Sequence, residues 1–228
     1  MSVYHDTLRY LQAMKKEEDE ILVGYSGGKD SLVVMDLCCK VFSRVKAINF
    51  YLVPDLEVIN KQLRYAKTKW GVDVISIPHF IIPIAIKDGL FCDPHPALDD
   101  IEEFGLKEHY AFAMASAGAS RIAVGMKSAD GLKRRQFFGN IRDSGDPIWD
   151  RLRFPIKDWR KKDVLDYLAA NNIPLPDSQD GAVTSGVGLD HDSLCWLHDK
   201  HPADFKKLLK WFPYAEASIK RREWFGVR

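Results

Sequence analysis

The chain has 228 residues, 46% of them hydrophobic and 29% charged, with a formal net charge of +1. That length suffices for one substantial core with an extension, and the near-neutral balance carries no global polyanion signal, so any nucleic-acid contact must be local. The four cysteines, two of them adjacent at Cys38 and Cys39, lack the spacing of a secreted disulfide framework, and no apolar signal core or run of about eighteen apolar residues occurs, so a cytoplasmic protein outside the membrane is expected.

Apolar residues at Val3, Leu8, Leu11 and Met14 predict a helix over Ser2 to Lys16, followed by a strand at Ile21 to Tyr25. A glycine-rich turn, Ser26 to Ser31, then opens a second helix carrying Leu32, Val33, Met35 and Leu37. Lys46 to Val53 reads as a strand, Glu57 to Trp70 as a helix closed by Gly71, and Val72 to Ile77 as a strand ending at Pro78. Phe80 to Ile101, punctuated by prolines, is expected to be an irregular, lid-like loop. A helix at His109 to Ala117 and a strand at Arg121 to Gly125 follow, then a helix beginning in Ser128 to Phe138 and a short strand or extended segment at Trp149 to Phe154. Lys161 to Asn171 is an amphipathic helix, and Asp177 to Asp192 is expected to be a mobile loop. Strand and helix alternate, so the sheet should be mainly parallel, with ligands at the carboxyl ends of its strands.

Ser26-Gly27-Gly28-Lys29-Asp30-Ser31 lies where the first strand turns into a helix. Glycines there let successive amides converge on an anion, and the positive end of the following helix strengthens the grip. Ser26 and Ser31 add hydroxyls, Lys29 a mobile cation, and Asp30 a carboxylate able to hold magnesium beside phosphates. The spacing is neither G-x-x-x-x-G-K-[ST] nor G-x-G-x-x-G, so a different phosphate loop is required. A second anion site is predicted after the fourth strand, where Gly125, Lys127, Lys133, Arg134 and Arg135 gather cations at another helix start. Asp55 and Glu57, after the second strand, suit either magnesium coordination or capping of the next helix.

S-G-G-x-D-S after the first strand resembles the pyrophosphate loop of the adenine-nucleotide alpha-hydrolase superfamily. With Gly125, Lys127, Asp130 and Arg134, Phe154-Pro155-Ile156, Asp158-Trp159 and Asn172-Ile173-Pro174, the chain resembles the phosphoadenosine phosphosulfate reductase family over roughly 20 to 176. Gly131 departs from the family's usual hydroxyl. The resemblance implies a three-layer, Rossmann-like α/β fold with a mainly parallel sheet: a nucleotide-binding domain over 1–176, then a loop and helical C-terminal extension over 177–228. It also implies ATP and magnesium as cofactors, with Lys29, Asp30, Lys127 and Arg134 as catalytic residues. Ser26 to Ser31, Gly125 and Arg135 would bind the nucleotide.

The reductases of that family attack sulfur with a tail cysteine, and the tail here, from Arg221 to Arg228, has none. The expected activity is therefore cleavage of ATP between the alpha and beta phosphates, with AMP passed to an acceptor. A divergent sulfonucleotide reductase and a nucleotide-binding subunit without turnover, serving DNA or RNA modification, are the alternatives. Cys92 and His95 repeat the C-x-x-H spacing of Cys195 and His198, a set that could close a tetrahedral zinc site, although chance explains the spacing better. Cys38 and Cys39 read as core residues. Lys206, Lys207, Lys210, Lys220, Arg221 and Arg222 interleave with Trp211, Phe212, Tyr214, Trp224 and Phe225, a pattern suited to helix packing and also to contact with nucleic acid.

Overall fold

The computed structural model describes residues 3–100, 102, 104–176 and 187–226. Five strands, β1 (Glu20–Gly24), β2 (Arg44–Tyr51), β3 (Val74–Pro78), β4 (Ile122–Ala123) and β5 (Leu152–Arg153), form one sheet in the order β3-β2-β1-β4-β5. Every pairing is parallel, from Glu20 against Arg44 in β1–β2 to Leu152 against Ile122 in β4–β5. The chain runs outward from β1 to β3, then crosses back to place β4 on the other side of β1. Strand order therefore reverses between β1 and β4, which is where an open α/β sheet leaves a crevice.

Alternating side chains divide the core between the two faces of the sheet. Val23, Ala47 and Ala123 pack with Leu11 of α1 (Val3–Glu17), Leu32 and Val33 of α2 (Lys29–Val41), Ala66 of α3 (Glu57–Trp70) and Val164 of α7 (Lys161–Ala170). On the opposite face, Leu22, Ile48 and Ile122 pack with Tyr110, Ala113 and Met114 of α5 (Leu106–Ala117). One buried polar network ties the first layer together. Asp36 accepts from Trp70 Nε1 at 2.9 Å and Tyr167 Oη at 2.7 Å and pairs with Lys40 at 2.7 Å. Burial alone would raise its pKa, but these partners outweigh burial and hold it below the usual carboxylate range.

Several expected elements change on inspection. The segment 80–101 is not wholly irregular: α4 (Ile81–Lys87) and a 3-10 turn at Pro96–Leu98 lie within it. Pro83 sits in the first turn of α4, where its missing N–H costs no intrahelical bond, so a residue that reads as a breaker is tolerated. The helix expected from Ser128 divides into a 3-10 turn, Ser128–Asp130, and α6 (Leu132–Arg142), because Gly131 between them takes φ 139°. Of the loop expected over 177–192, residues 177–186 lie outside the described residues, and α8 (His191–Lys200) starts inside it, its first turn capped by Asp190.

Helices α8, α9 (Pro202–Leu208) and α10 (Glu216–Phe225) form a third apolar cluster with Leu56 and Val58 at the start of α3 and Ala85 of α4. Asp204 anchors this extension. Its buried carboxylate accepts the main-chain N–H groups of Glu57 and Val58, each at 2.8 Å, and so caps α3 from another part of the chain. The cap of α3 thus comes from Asp204 and not from an acid after β2, and Glu57, in the first turn, pairs with Arg64 on the surface.

Candidate active site

The loop after β1 is shaped by sterics. The Tyr25 N–H donates to the Ile48 carbonyl at 2.8 Å, ending the strand, and Gly27 then takes φ 72°. A Cβ on Gly27 would stand 2.7 Å from Cβ of Gln62, so any larger residue would push α3 away. α2 starts at Lys29, and no side chain caps its first turn. Those orphan amides, at the positive end of a 13-residue helix, constitute an anion-binding arrangement. Ser31 Oγ donates to the Gly28 carbonyl at 2.9 Å, and the Gly28 N–H donates to Ser26 Oγ at 3.3 Å, fixing the turn.

The loop after β4 meets this turn directly. A Cβ on Gly125 would stand 3.0 Å from the carbonyl carbon of Asp30 and 3.1 Å from the Ser31 nitrogen, so the two loops touch backbone to backbone. Two residues on, Lys127 is only 1% exposed. Its Nζ lies 2.6 Å from Asp30 Oδ1 and 3.1 Å from Asp130 Oδ1, while Lys29 Nζ lies 3.1 Å from Asp30 Oδ2. Two lysines and two aspartates thus form one charge-balanced cluster at the reversal of strand order. An ammonium so deeply buried is stable only because carboxylates face it. Arg134 and Arg135, on the first turn of α6, are exposed, and Arg134 donates to Met126 Sδ at 3.2 Å.

Beside Ser26 a pocket opens between the end of β2 and the C-terminal extension. Asn49 and Val53 from β2 and its loop, Leu56 before α3, and Leu189 and Leu208 from the extension line it. Sequence reasoning placed none of the extension residues at the crevice. The only signal was their apolar character, which core packing explains equally well.

The four residues suggested for zinc do not form a metal centre among the described residues, where no group of three or more His, Cys, Asp or Glu side chains gathers. Cys92 and Cys195 do join the same apolar cluster, and burial raises both thiols. The histidines have other neighbours. His95 accepts the Ala97 N–H, and His198 pairs with Asp199. Cys38 is wholly buried and Cys39 partly so in α2, with the Cys39 thiol pushed up to about 12, chiefly by burial. In the extension, Phe205, Phe212 and Ile219 are buried, whereas Trp211, Tyr214, Trp224 and Phe225 are exposed, Trp224 to 76%.

No family model matches the chain, and no curated protein does either. Solved structures do share its fold. One is the NH3-dependent NAD synthetase of Campylobacter jejuni, in complex with nitrate, at 13% identity and a TM-score of 0.50, with 99% of this chain and 96% of that one covered. Another is the tRNA thiolase NcsA of Methanococcus maripaludis with its four-iron, four-sulfur cluster, at 15% identity and a TM-score of 0.50, covering 95% and 79%. With the parallel sheet, these define the fold as a Rossmann-like α/β fold built on one five-stranded parallel sheet. Identities this low speak to the fold alone.

Proposed function

We propose that the protein is an ATP-using adenylating enzyme of the phosphoadenosine phosphosulfate reductase family. It would cleave ATP between the alpha and beta phosphates, pass AMP to an acceptor and release pyrophosphate. The observation that carries this reading is the buried Lys127–Asp30 pair, which joins two cationic loops over the start of α2. A polyphosphate chain can span both loops, with Ser26 to Ser31 receiving its outer phosphates and Arg134 and Arg135 reaching the alpha phosphate or the acceptor. The pocket beside Ser26, where Asn49 offers polar groups among Val53, Leu56, Leu189 and Leu208, can receive the base.

Phosphate oxygens would draw the ammonium groups of Lys29 and Lys127 away from the two aspartates. Asp30 Oδ1 and Asp130 Oδ1 already share one cationic neighbour, so this hard-oxygen donor set fits magnesium arriving with the nucleotide. When bound, magnesium supplies positive charge to the departing pyrophosphate. An acceptor oxygen bonds to the alpha phosphorus as the bond to the bridging oxygen breaks, and that oxygen leaves with the electron pair. The lysines and loop amides stabilise the charge that develops there, which is most of what such a transfer asks of a protein. Exposed Trp211 and Trp224 beside Lys210 and Arg221 support nucleic acid as a partner of the extension.

ATP labelled at the alpha phosphorus tests this reading. Label is expected in AMP or an AMP adduct, with pyrophosphate released in equal amount. Label recovered as ADP with free phosphate would sink it.

A further inference from the structure

Two histidines stand at the carboxyl edge of the sheet, outside the ion-paired loops. His79 is the first residue beyond β3, and its main-chain N–H donates to the Tyr51 carbonyl at 2.9 Å, beside the pocket-lining end of β2. Its ring stacks on Phe80, centroids 4.7 Å apart and planes 26° apart, and lies 5.1 Å from the ring of His109. His109, in the first turn of α5, packs 4.0 Å from Phe50. It is 4% exposed, and its Nε2 has no hydrogen-bond partner among the described residues. Burial lowers the pKa of both rings, that of His109 to about 4 with a further contribution from His79, so both are neutral near pH 7.

The tautomer of His79 follows from its contacts. Nδ1 accepts the Ile81 N–H at 3.2 Å, so the neutral ring carries its proton on Nε2. That N–H donates to no group among the described residues, and the ring is held by Phe80, His109 and Phe50. The edge of the crevice therefore offers a fixed, uncharged donor framed by aromatic faces. The basic side adjoins the same core, since Arg134 donates to Met126 Sδ at 3.2 Å and Met126 packs against the cluster that holds Tyr110 and Phe50. An uncharged ring oxygen suits this donor better than a phosphate or carboxylate, whose charge the lysine and arginine wall would draw.

We propose that His79, held in place by His109, is a binding residue of the acceptor subsite. Its Nε2–H donates to a ring carbonyl of a planar, uncharged heterocycle standing edge-on to the His79–Phe80 stack, and Arg134 faces a phosphate attached to that heterocycle. The acceptor class is thus a nucleotide whose base carries a ring carbonyl. This rests on the reading of the crevice as an ATP site, and it names what the second substrate looks like.

Uridine monophosphate is the probe, titrated into the full-length protein with and without a non-hydrolysable ATP analogue, while the 15N signal of His79 Nε2 is followed. Adenosine monophosphate, whose base has no ring carbonyl, is the control. Uridine monophosphate is expected to shift the Nε2 signal. His79→Phe, which keeps the ring stack and removes the donor, is expected to weaken uridine monophosphate about three- to tenfold, the factor an ordinary hydrogen bond is worth, and to leave the analogue's affinity unchanged. An unshifted Nε2 signal, equal binding of the two monophosphates at this ring, or wild-type affinity in His79→Phe overturns the proposal. Failure of the ATP analogue to bind is a separate result. It counts against the adenylating function, and the titration without analogue still decides the role of His79.

Discussion

Replacing Gly125 by alanine adds one methyl group at the contact between the two loops. The backbone at 125 has an ordinary φ, so the change carries no conformational penalty of its own. The cost is contact. The new Cβ would meet the carbonyl carbon of Asp30 at 3.0 Å, the Ser31 nitrogen at 3.1 Å and the Asp30 oxygen at 3.2 Å. All three are main-chain atoms at the start of α2, and none can rotate aside, so the loops must part by a few tenths of an ångström. Overpacking of this kind costs about 1–3 kcal/mol. The displaced elements carry Lys127 and the loop after β1, so under the proposed function the same shift should weaken nucleotide binding about ten- to hundredfold, at about 1.4 kcal/mol per factor of ten. Thermal unfolding and calorimetric titration of magnesium ATP measure the two effects. Gly139→Ala is the control, since a Cβ there meets nothing within 4 Å and alanine suits the middle of α6. Wild-type affinity and unchanged stability in Gly125→Ala would refute the claim that these loops act as one unit.

Lys127→Met leaves Asp30 with Lys29 as its one remaining cation and should abolish measurable nucleotide binding while lowering stability by about 3 kcal/mol, read from denaturant titration. His109, with its folded pKa near 4 against an unfolded value near 6.5, makes the unfolded chain bind the extra proton between those limits. Stability should therefore fall as pH drops from 6.5 toward 4, by up to about 1.4 kcal/mol per unit, and His109→Phe should flatten that slope in unfolding curves. Burial would raise the pKa of Asp204, but the Glu57 and Val58 amides and Lys207 lower it overall, so its contribution is present above the unfolded carboxylate pKa and is lost as pH falls through the folded one. Asp204→Asn should cost about 1–2 kcal/mol near pH 7 and loosen the extension, seen as faster amide exchange at Glu57 and Val58.

Much of the loop after β1 was legible because its requirements are local. Two glycines between an apolar strand and a helix specify a turn whose amides converge, and alternating strands and helices specify the parallel sheet that sets it at the crevice. The pairing of Lys127 with Asp30 was not legible, because a cation at a helix start reads identically whether it stands in solvent or is buried against a carboxylate 97 positions away in the chain. Asp204 was missed for the same reason, since its partners at 57 and 58 are near only after folding. α4 was hidden by Pro83, and the break at Gly131 by an otherwise helical composition. The extension shows why the basic-aromatic pattern was ambiguous: Phe212 and Ile219 pack inward while Trp211 and Trp224, a residue or a few away, face outward.

The central claim is that the crevice binds ATP for attack at the alpha phosphorus. Its most direct test gives the purified protein ATP, adenosine phosphosulfate and phosphoadenosine phosphosulfate in parallel and measures binding together with pyrophosphate and sulfite release. Tight binding of magnesium ATP with pyrophosphate formation, and loss of both in Lys127→Met, is the predicted result. A sulfonucleotide that binds tightly and yields sulfite, while ATP fails to bind, would contradict it.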